Sequence, residues 1–285
     1  LDSVDIKHFG AGVDIESASQ PFWLTKDIAI FSYCEFEKKY LNQVVVAQEN
    51  QPGVNPLRLE KIKSDLDMLP AGKKAILYFH WGMEHVWLPP AEDIDLTRSL
   101  LEDERIITII GMHSHRAQGV VNHAGKQAYM CLGNFIFPNF YITPPVQISY
   151  LTDEEKTRTR FITRQYHKVY ETTYKKWRLV NRVSVMLEFC TKTKKTKPVF
   201  VVQDDDTTVV RELKGFKLYL FKGWFKILTI FYKLPVSIYR VFHQIHAFES
   251  KSLWRLQIIW FYFKQLGVKK FLKEASFYVR KKISG

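Results

Sequence analysis

The chain has 285 residues, of which 46% are hydrophobic and 25% are charged, so it has the composition of a globular protein with ample material for a core. Its three cysteines, an odd number spaced far apart, exclude a disulfide framework and a zinc knuckle. The net charge of +13 is divided unequally, with a net −5 over residues 1–150 and a net +18 over residues 151–285. We therefore expect the basic half to meet an acidic partner.

The first half of the chain alternates between helix and strand patterns. A short helix is predicted over 14–19, and apolar runs predict buried strands over 28–34, 74–79, 106–110 and 128–132. The polar stretch 35–56 predicts a loop over the rim of a site. Apolar residues at helical spacing predict helices over 55–69 and 90–104, each closed by polar or turn-forming residues. Strands and helices that alternate along the chain in this way predict an α/β core.

The chain changes character after residue 150. Residues 152–155 have the composition of a helix start. Two apolar runs, 183–189 and 198–202, are joined by a basic turn and predict a β-hairpin that completes the same domain, which we place at residues 1–212. The three adjacent carboxylates of residues 204–206 do not face one point on a strand, so they predict a solvated loop rather than a cation site.

Residues 213–285 form a basic helical tail in this interpretation. From residue 214 onward there are 15 basic residues but only Glu249 and Glu274. Apolar side chains at helical spacing predict helices over 218–232 and 253–263, and no uncharged run there approaches the roughly 20 residues that span a bilayer. Two readings remain open: helices that lie on an anionic membrane surface, or a bundle packed on the core with a basic outer face. Nucleic acid is the weakest reading, because no binding motif accompanies the charge.

Histidines follow two of the predicted strands at the point where each strand ends. His113 and His115 come just after 106–110, and His80 follows 74–79 with Glu84 four residues later; Asn134 follows the strand over 128–132. Because α/β sheets place ligands at the carboxyl ends of their strands, we expect these side chains on one rim. Imidazole is the commonest neutral nitrogen ligand of zinc and similar ions, so the pattern favours a divalent metal site. The alternative is a turn-capping histidine beside a surface histidine.

Three motifs carry a resemblance to a known family. They are HWGMEH at 80–85, GMHSHRAQG at 111–119 and CLGNFIF at 131–137. In this order and spacing they resemble the bacterial capsule-synthesis proteins of the CapA/PgsA type, with the pattern HWG-x-E, GHHPH-x-x-Q and SLGNF-[VI]-F. The resemblance covers about residues 6–137. Met112 stands where the family has the first histidine of GHHPH, and Ser114 stands where it has the proline.

The resemblance implies a layered α/β fold similar to the calcineurin-like metallophosphoesterases. It also implies that the family's Gly-Asp and Asn-Asn-His motifs lie upstream of Leu1, so that this chain is the C-terminal portion of the domain. The implied site is metal-dependent and hydrolase-like, with Mn, Fe or Zn held by His80, His113, His115 and Asn134, and with His80, Glu84, His113 and His115 as the catalytic group. Glu84 would bind the metal or orient a ligand.

The implied function is the synthesis of a capsule or another surface polymer, either poly-γ-glutamate or a polysaccharide. The expected partners are that anionic polymer or its precursor and, through residues 214–285, an anionic membrane surface. A protein of this kind would be associated with a membrane, with the cytoplasm as the alternative location. The competing class is a non-catalytic membrane-surface binding or assembly protein with a degenerate site.

Overall fold

The computed structural model describes residues 6–36, 44–137, 139–142 and 172–283. The predicted helix start at 152–155 lies outside these ranges. In chain order the elements are β1 (Ala11–Gly12), α1 (Ile15–Ser19), β2 (Phe22–Thr25), β3 (Ile28–Cys34), β4 (Gly53–Val54), α2 (Leu59–Asp67), β5 (Lys74–His80), α3 (Ala91–Leu101), β6 (Ile106–Met112), β7 (Val120–His123), β8 (Lys126–Tyr129), β9 (Phe140–Ile142), β10 (Thr173–Lys175), α4 (Leu179–Arg182), β11 (Val183–Cys190), β12 (Lys195–Gln203), β13 (Val210–Glu212), α5 (Gly215–Phe231) and α6 (Val236–Ile283), which is broken at Gly267.

A six-stranded mixed sheet in the order β2-β3-β5-β6-β8-β7 is the centre of the fold. The four central strands run parallel, and the edge strands β2 and β7 pair antiparallel with their neighbours. Strands β3, β5 and β6 are built from apolar and β-branched residues that are buried along most of their length, as expected of a parallel sheet covered on its faces. Every central strand therefore points its carboxyl end toward the same edge.

Helices cover this sheet with the apolar side chains that the sequence pattern predicts. Ile62 and Leu66 of α2 and Ile94 and Leu101 of α3 belong to the same buried cluster as the strand residues. The mixed sheet with its packed helices confirms the predicted α/β class and is consistent with a layered, metallophosphoesterase-like fold.

The second sheet is the predicted hairpin, extended by one strand. Strands β11 and β12 pair antiparallel from Val183↔Val202 to Cys190↔Lys195, and β13 adds to the edge of β12. Its buried side chains form a second cluster, against which the first half of α5 packs. The second half of α5 packs on the main core through Leu228 and Tyr232, so this helix contacts both cores.

Several details differ from the sequence prediction. The predicted strand 128–132 is β8, which ends earlier, at Tyr129, and pairs with the unpredicted strand β7 in a hairpin around Ala124 and Gly125.

Asp204, Asp205 and Asp206 lie in the exposed loop that was predicted, and the first two form ion pairs with arginines. None of the helices in the described ranges is long and apolar enough to cross a membrane.

The chain divides into two compact units. The first is Leu1–Phe137 with Arg178–Ala247, and the second is Pro138–Trp177 with Phe248–Gly285. Both sheets described above and α5 belong to the first unit; the β9–β10 pair belongs to the second. The sequence-based division after residue 212 stays a prediction.

Candidate functional site

The register of the parallel sheet aligns the last residues of three strands. Cys34 of β3 pairs with His80 of β5, and His80 pairs with Met112 of β6. His113 is the residue that follows Met112, so it leaves the sheet beside His80. The predicted rim of polar side chains is therefore a direct consequence of strand pairing in this sheet.

Four histidines lie close together on this edge. The ring centroids of His80 and His113 are 4.3 Å apart, those of His113 and His115 are 6.3 Å apart, and those of His115 and His85 are 5.3 Å apart. The structure thus brings together the three histidines singled out from the sequence. His85, the last residue of the HWGMEH motif, is an addition that sequence reasoning missed. We refer to these four residues as the histidine cluster.

Three members of the histidine cluster have a left-handed backbone. The φ angles are 60° at His85, 94° at His113 and 57° at His115. Residues with a side chain rarely adopt such angles, and each costs of order 1–3 kcal/mol unless the surrounding structure maintains it. Strained residues of this kind are found preferentially at functional sites, so the backbone marks the same positions as the motifs.

The first glycine of the central motif is required by close packing. A Cβ atom at Gly111 would lie 2.0 Å from the carbonyl oxygen of Met130 and 2.5 Å from Nε1 of Trp81. These two atoms form a buried hydrogen bond of 3.0 Å, in which the indole N–H donates to the carbonyl. The Trp of HWG, which follows His80, and the Gly of the central motif, two residues before His113, therefore meet at one point.

An amide network orients His115. Nδ1 of His115 is 2.6 Å from Oδ1 of Asn134; because an amide oxygen only accepts, His115 donates from Nδ1 and keeps the lone pair on Nε2. Nδ2 of Asn134 donates to the carbonyl of Asn181, and Nδ2 of Asn181 donates to the carbonyl of His115. Asn181 lies on α4 and was not identified from the sequence. Its amide closes the network from a distant part of the chain.

The carboxyl end of β3 adds a carboxylate and a thiol. Oε2 of Glu35 accepts the backbone N–H of Gly82 at 2.9 Å, and Sγ of Cys34 is 3.6 Å from Nδ1 of His80. Neither residue was predicted as part of the site, although both begin the loop expected at its rim. Glu84 is exposed on the turn after β5. Its role as a ligand or as an orienting residue stays a prediction.

Burial keeps the charged forms of these groups unfavourable. It lowers the pKa of His80 below its usual 6.5, and nearby His115 lowers it further, while Glu35 opposes the shift. Burial and the neighbouring Glu35 raise the pKa of the Cys34 thiol to about 11. At neutral pH His80 is therefore a neutral imidazole, which is the form that binds metal ions.

A half-buried guanidinium lies beside the histidine cluster. Cζ of Arg116 lies over the ring of Trp87 at 4.8 Å from its centroid. Burial, together with the like charge of Arg178, lowers the pKa of Arg116 to about 10. Two cationic groups are thus held near each other, and one of them, Arg116, immediately follows His115 in the sequence.

The turn that carries His85 is held by two other segments. Ser114, the residue that replaces the family's proline, donates its hydroxyl to the carbonyl of Val86 at 2.6 Å, and Gln118 donates to the same oxygen. From α6, His246 accepts the N–H of Trp87 and His243 donates to the carbonyl of Leu88. These two α6 histidines therefore hold the turn by hydrogen bonds to its backbone.

The donor atoms described at this edge of the sheet do not form a complete metal-binding site. Within the described ranges, no group of three or more His, Cys, Asp or Glu side chains is arranged to hold a metal ion. What the chain provides is the adjacent pair His80 and His113, the oriented Nε2 of His115 and the nearby carboxylate of Glu35. Nitrogen and carboxylate donors of this kind suit Zn, Fe or Mn.

Comparison with known proteins identifies the family of this region. Residues 1–139 match the family model described as bacterial capsule synthesis protein PGA_cap. The three motifs, the main sheet and the histidine cluster all lie inside this range. A comparison with curated proteins finds no match for the chain. On this evidence, residues 1–139 are similar to the bacterial capsule synthesis protein family PGA_cap.

Proposed function

We propose that the protein acts in capsule or surface-polymer biosynthesis through a divalent metal ion bound by His80, His113 and His115. The observation that carries this proposal is the 4.3 Å separation of the His80 and His113 rings at the carboxyl edge of the sheet, where α/β proteins bind their ligands. The family of residues 1–139 supports the capsule role.

The tautomer of His115 favours metal binding. A ligating histidine commonly donates its other ring nitrogen to an oxygen of the protein, which fixes the ring and directs the lone pair at the metal. Asn134 receives that hydrogen bond from His115 here, so its contribution is to orient the ligand; its predicted direct ligation remains a proposal. Glu35 also lies at this edge of the sheet and would add an oxygen donor.

A bound ion would lower the pKa of a water ligand or polarise a phosphoryl or acyl oxygen, which is the chemistry of a hydrolase-like site. The protein's own contribution is to position the substrate. Arg116 and Arg178 would bind an anionic substituent, either a carboxylate or a phosphate, because a guanidinium offers paired N–H donors to both groups. An anionic surface polymer or its precursor fits this site.

Metal content tests the proposal directly. The full chain is incubated separately with Mn, Fe or Zn, desalted and measured by mass spectrometry of the elements. We expect about one equivalent of the preferred metal and its loss in the double variant His113→Ala, His115→Ala. The matched control is His123→Ala. It removes a histidine at the end of the edge strand β7, where the side chain pairs with Glu102. Wild-type protein that retains no metal under any condition would refute the proposal.

A non-catalytic binding or assembly protein at a membrane surface is the second candidate. The exposed surface of α5, which carries both lysines and apolar side chains, favours this candidate. Cleavage of poly-γ-glutamate chains or of a phosphodiester, measured with the metal-loaded protein, distinguishes the two functions. Activity that disappears in the His113→Ala, His115→Ala variant supports the enzyme, whereas metal and polymer binding without turnover supports assembly.

A further inference from the structure

Helix α5 carries apolar side chains on opposite sides. Its inner side is the stripe predicted from the sequence, which packs on the two cores through Leu218, Phe221, Phe225 and Leu228. On its outer side, Phe216 and Tyr219 are 75% and 74% exposed, and Leu220 is 54% exposed. A helix that is apolar all round is normally buried, so the outer side is expected to be covered when the protein functions.

Lysines alternate with these outer apolar side chains. Lys217, Lys222, Lys226 and Lys233 are all exposed, and residues 214–248 contain no acidic residue. Aromatic and aliphatic side chains mixed with lysines are typical of helices that lie in the interface of an anionic bilayer. A second copy of the chain is a poor partner for this surface, because lysines would meet lysines.

The same helix reaches the turn beside the histidine cluster. Trp224 of α5 packs edge-to-face on Trp87, with ring centroids 5.7 Å apart, and Trp87 is the ring over which Arg116 lies. Helix α5, the turn and the histidine cluster belong to the same compact unit. A membrane bound by α5 would therefore lie near the candidate site.

We propose that the outer face of α5, formed by Phe216, Tyr219, Leu220, Ile227 and Ile230 with the intervening lysines, docks on the surface of an anionic bilayer. The helix lies along the membrane plane, with its apolar side chains in the interface and its lysines at the headgroups. This surface is outside the residues that match the family model, and its function does not depend on metal binding. Docking would present polymer precursors attached to the membrane to Arg116 and the histidine cluster.

Vesicle co-sedimentation of the full chain tests the apolar part of the surface. The probe is a vesicle of phosphatidylglycerol and phosphatidylcholine, and the variant is Phe216→Ser, Tyr219→Ser, Leu220→Ser. We expect its partition coefficient to fall about tenfold or more, since three apolar side chains no longer enter the interface. Met68→Ser is the matched control, because Met68 is 83% exposed at the end of α2, and it should bind like wild type. All of these side chains are exposed, so the far-UV circular dichroism should be unchanged.

Charge replacement tests the electrostatic part. The variant Lys217→Gln, Lys222→Gln, Lys226→Gln should bind anionic vesicles more weakly at an ionic strength of about 0.1 M, and the difference from wild type should shrink near 1 M, where the Debye length falls to about 3 Å. Vesicles of phosphatidylcholine alone should bind wild-type protein weakly.

Four results would overturn the proposal. They are the absence of wild-type binding to anionic vesicles, unchanged binding by the apolar variant, equal binding to neutral and anionic vesicles, and a wild-type dimer in sedimentation equilibrium that the apolar variant abolishes. The last result would identify a second copy of the chain as the partner of this face.

Discussion

Substitution of Gly111 by alanine should destabilise the protein strongly. The new Cβ would lie 2.0 Å from the carbonyl oxygen of Met130 and 2.5 Å from Nε1 of Trp81. The carbonyl has little room to move, because the backbone N–H of Met130 is itself bonded to Gly119 and that of Leu132 is bonded to Gly111. Relief of the clash therefore requires the Trp81–Met130 hydrogen bond to open.

The expected cost has two parts. Overpacking of a closely packed core costs about 1–3 kcal/mol. A buried donor or acceptor left without its partner costs about 1–3 kcal/mol more. Together they predict that Gly111→Ala lowers the free energy of unfolding by about 2–6 kcal/mol, a large share of the 5–15 kcal/mol typical of a folded domain.

Urea denaturation followed by circular dichroism measures this change. The matched control is Gly223→Ala in α5, where a Cβ meets no atom within 4 Å, so the same chemical change should be neutral or stabilising by up to about 1 kcal/mol. A Gly111→Ala variant whose free energy of unfolding is within about 1 kcal/mol of wild type would refute the reasoning. It would show that Trp81 and Met130 can move to accept the added methyl group.

Two further predictions follow from perturbed pKa values. Because burial lowers the pKa of His80 below the value of 6.5 expected in the unfolded chain, the unfolded state binds the proton first, and stability should fall as the pH drops below about 6.5. Urea midpoints across this range should show a shallower acid-side decline for His80→Gln, and an identical decline would contradict the assigned burial effect. Among the cysteines, Cys190 is exposed and hydrogen bonds from Thr193 lower its pKa, whereas burial raises the pKa of Cys34 and Cys131. Iodoacetamide should therefore modify Cys190 first in the native protein, as peptide mass spectrometry will show; earlier labelling of Cys34 would contradict the structure.

The replacement of the family's proline by Ser114 has a local structural explanation. The hydroxyl of Ser114 donates to the carbonyl of Val86, and its own carbonyl accepts the N–H of His85. Proline cannot make the first of these bonds, because it has no hydroxyl. This chain therefore ties its central motif to the HWGMEH turn by a side-chain contact, which also holds His85 in the histidine cluster.

The sequence alone was sufficient to predict the strands that carry the site. Ile28–Cys34 is predicted at the bounds observed, and β5 and β6 each begin where predicted and continue for one or two residues more. Runs of apolar and β-branched residues are local signals, since they reflect the burial of both faces of a parallel strand. The inner stripe of α5 is predictable for the same reason, because its helical spacing is independent of distant residues.

Tertiary structure alone decided which side chains meet. Glu35 and Cys34 join the site because β3 pairs with β5 in a particular register, and Asn181 reaches His115 because the second sheet and α4 fold back on the loop after β8. Pairing between distant segments depends on the packing of the whole core, so no local pattern of residues encodes it. Local chemistry thus determined the strands and their terminal histidines, whereas long-range packing determined the partners that orient them.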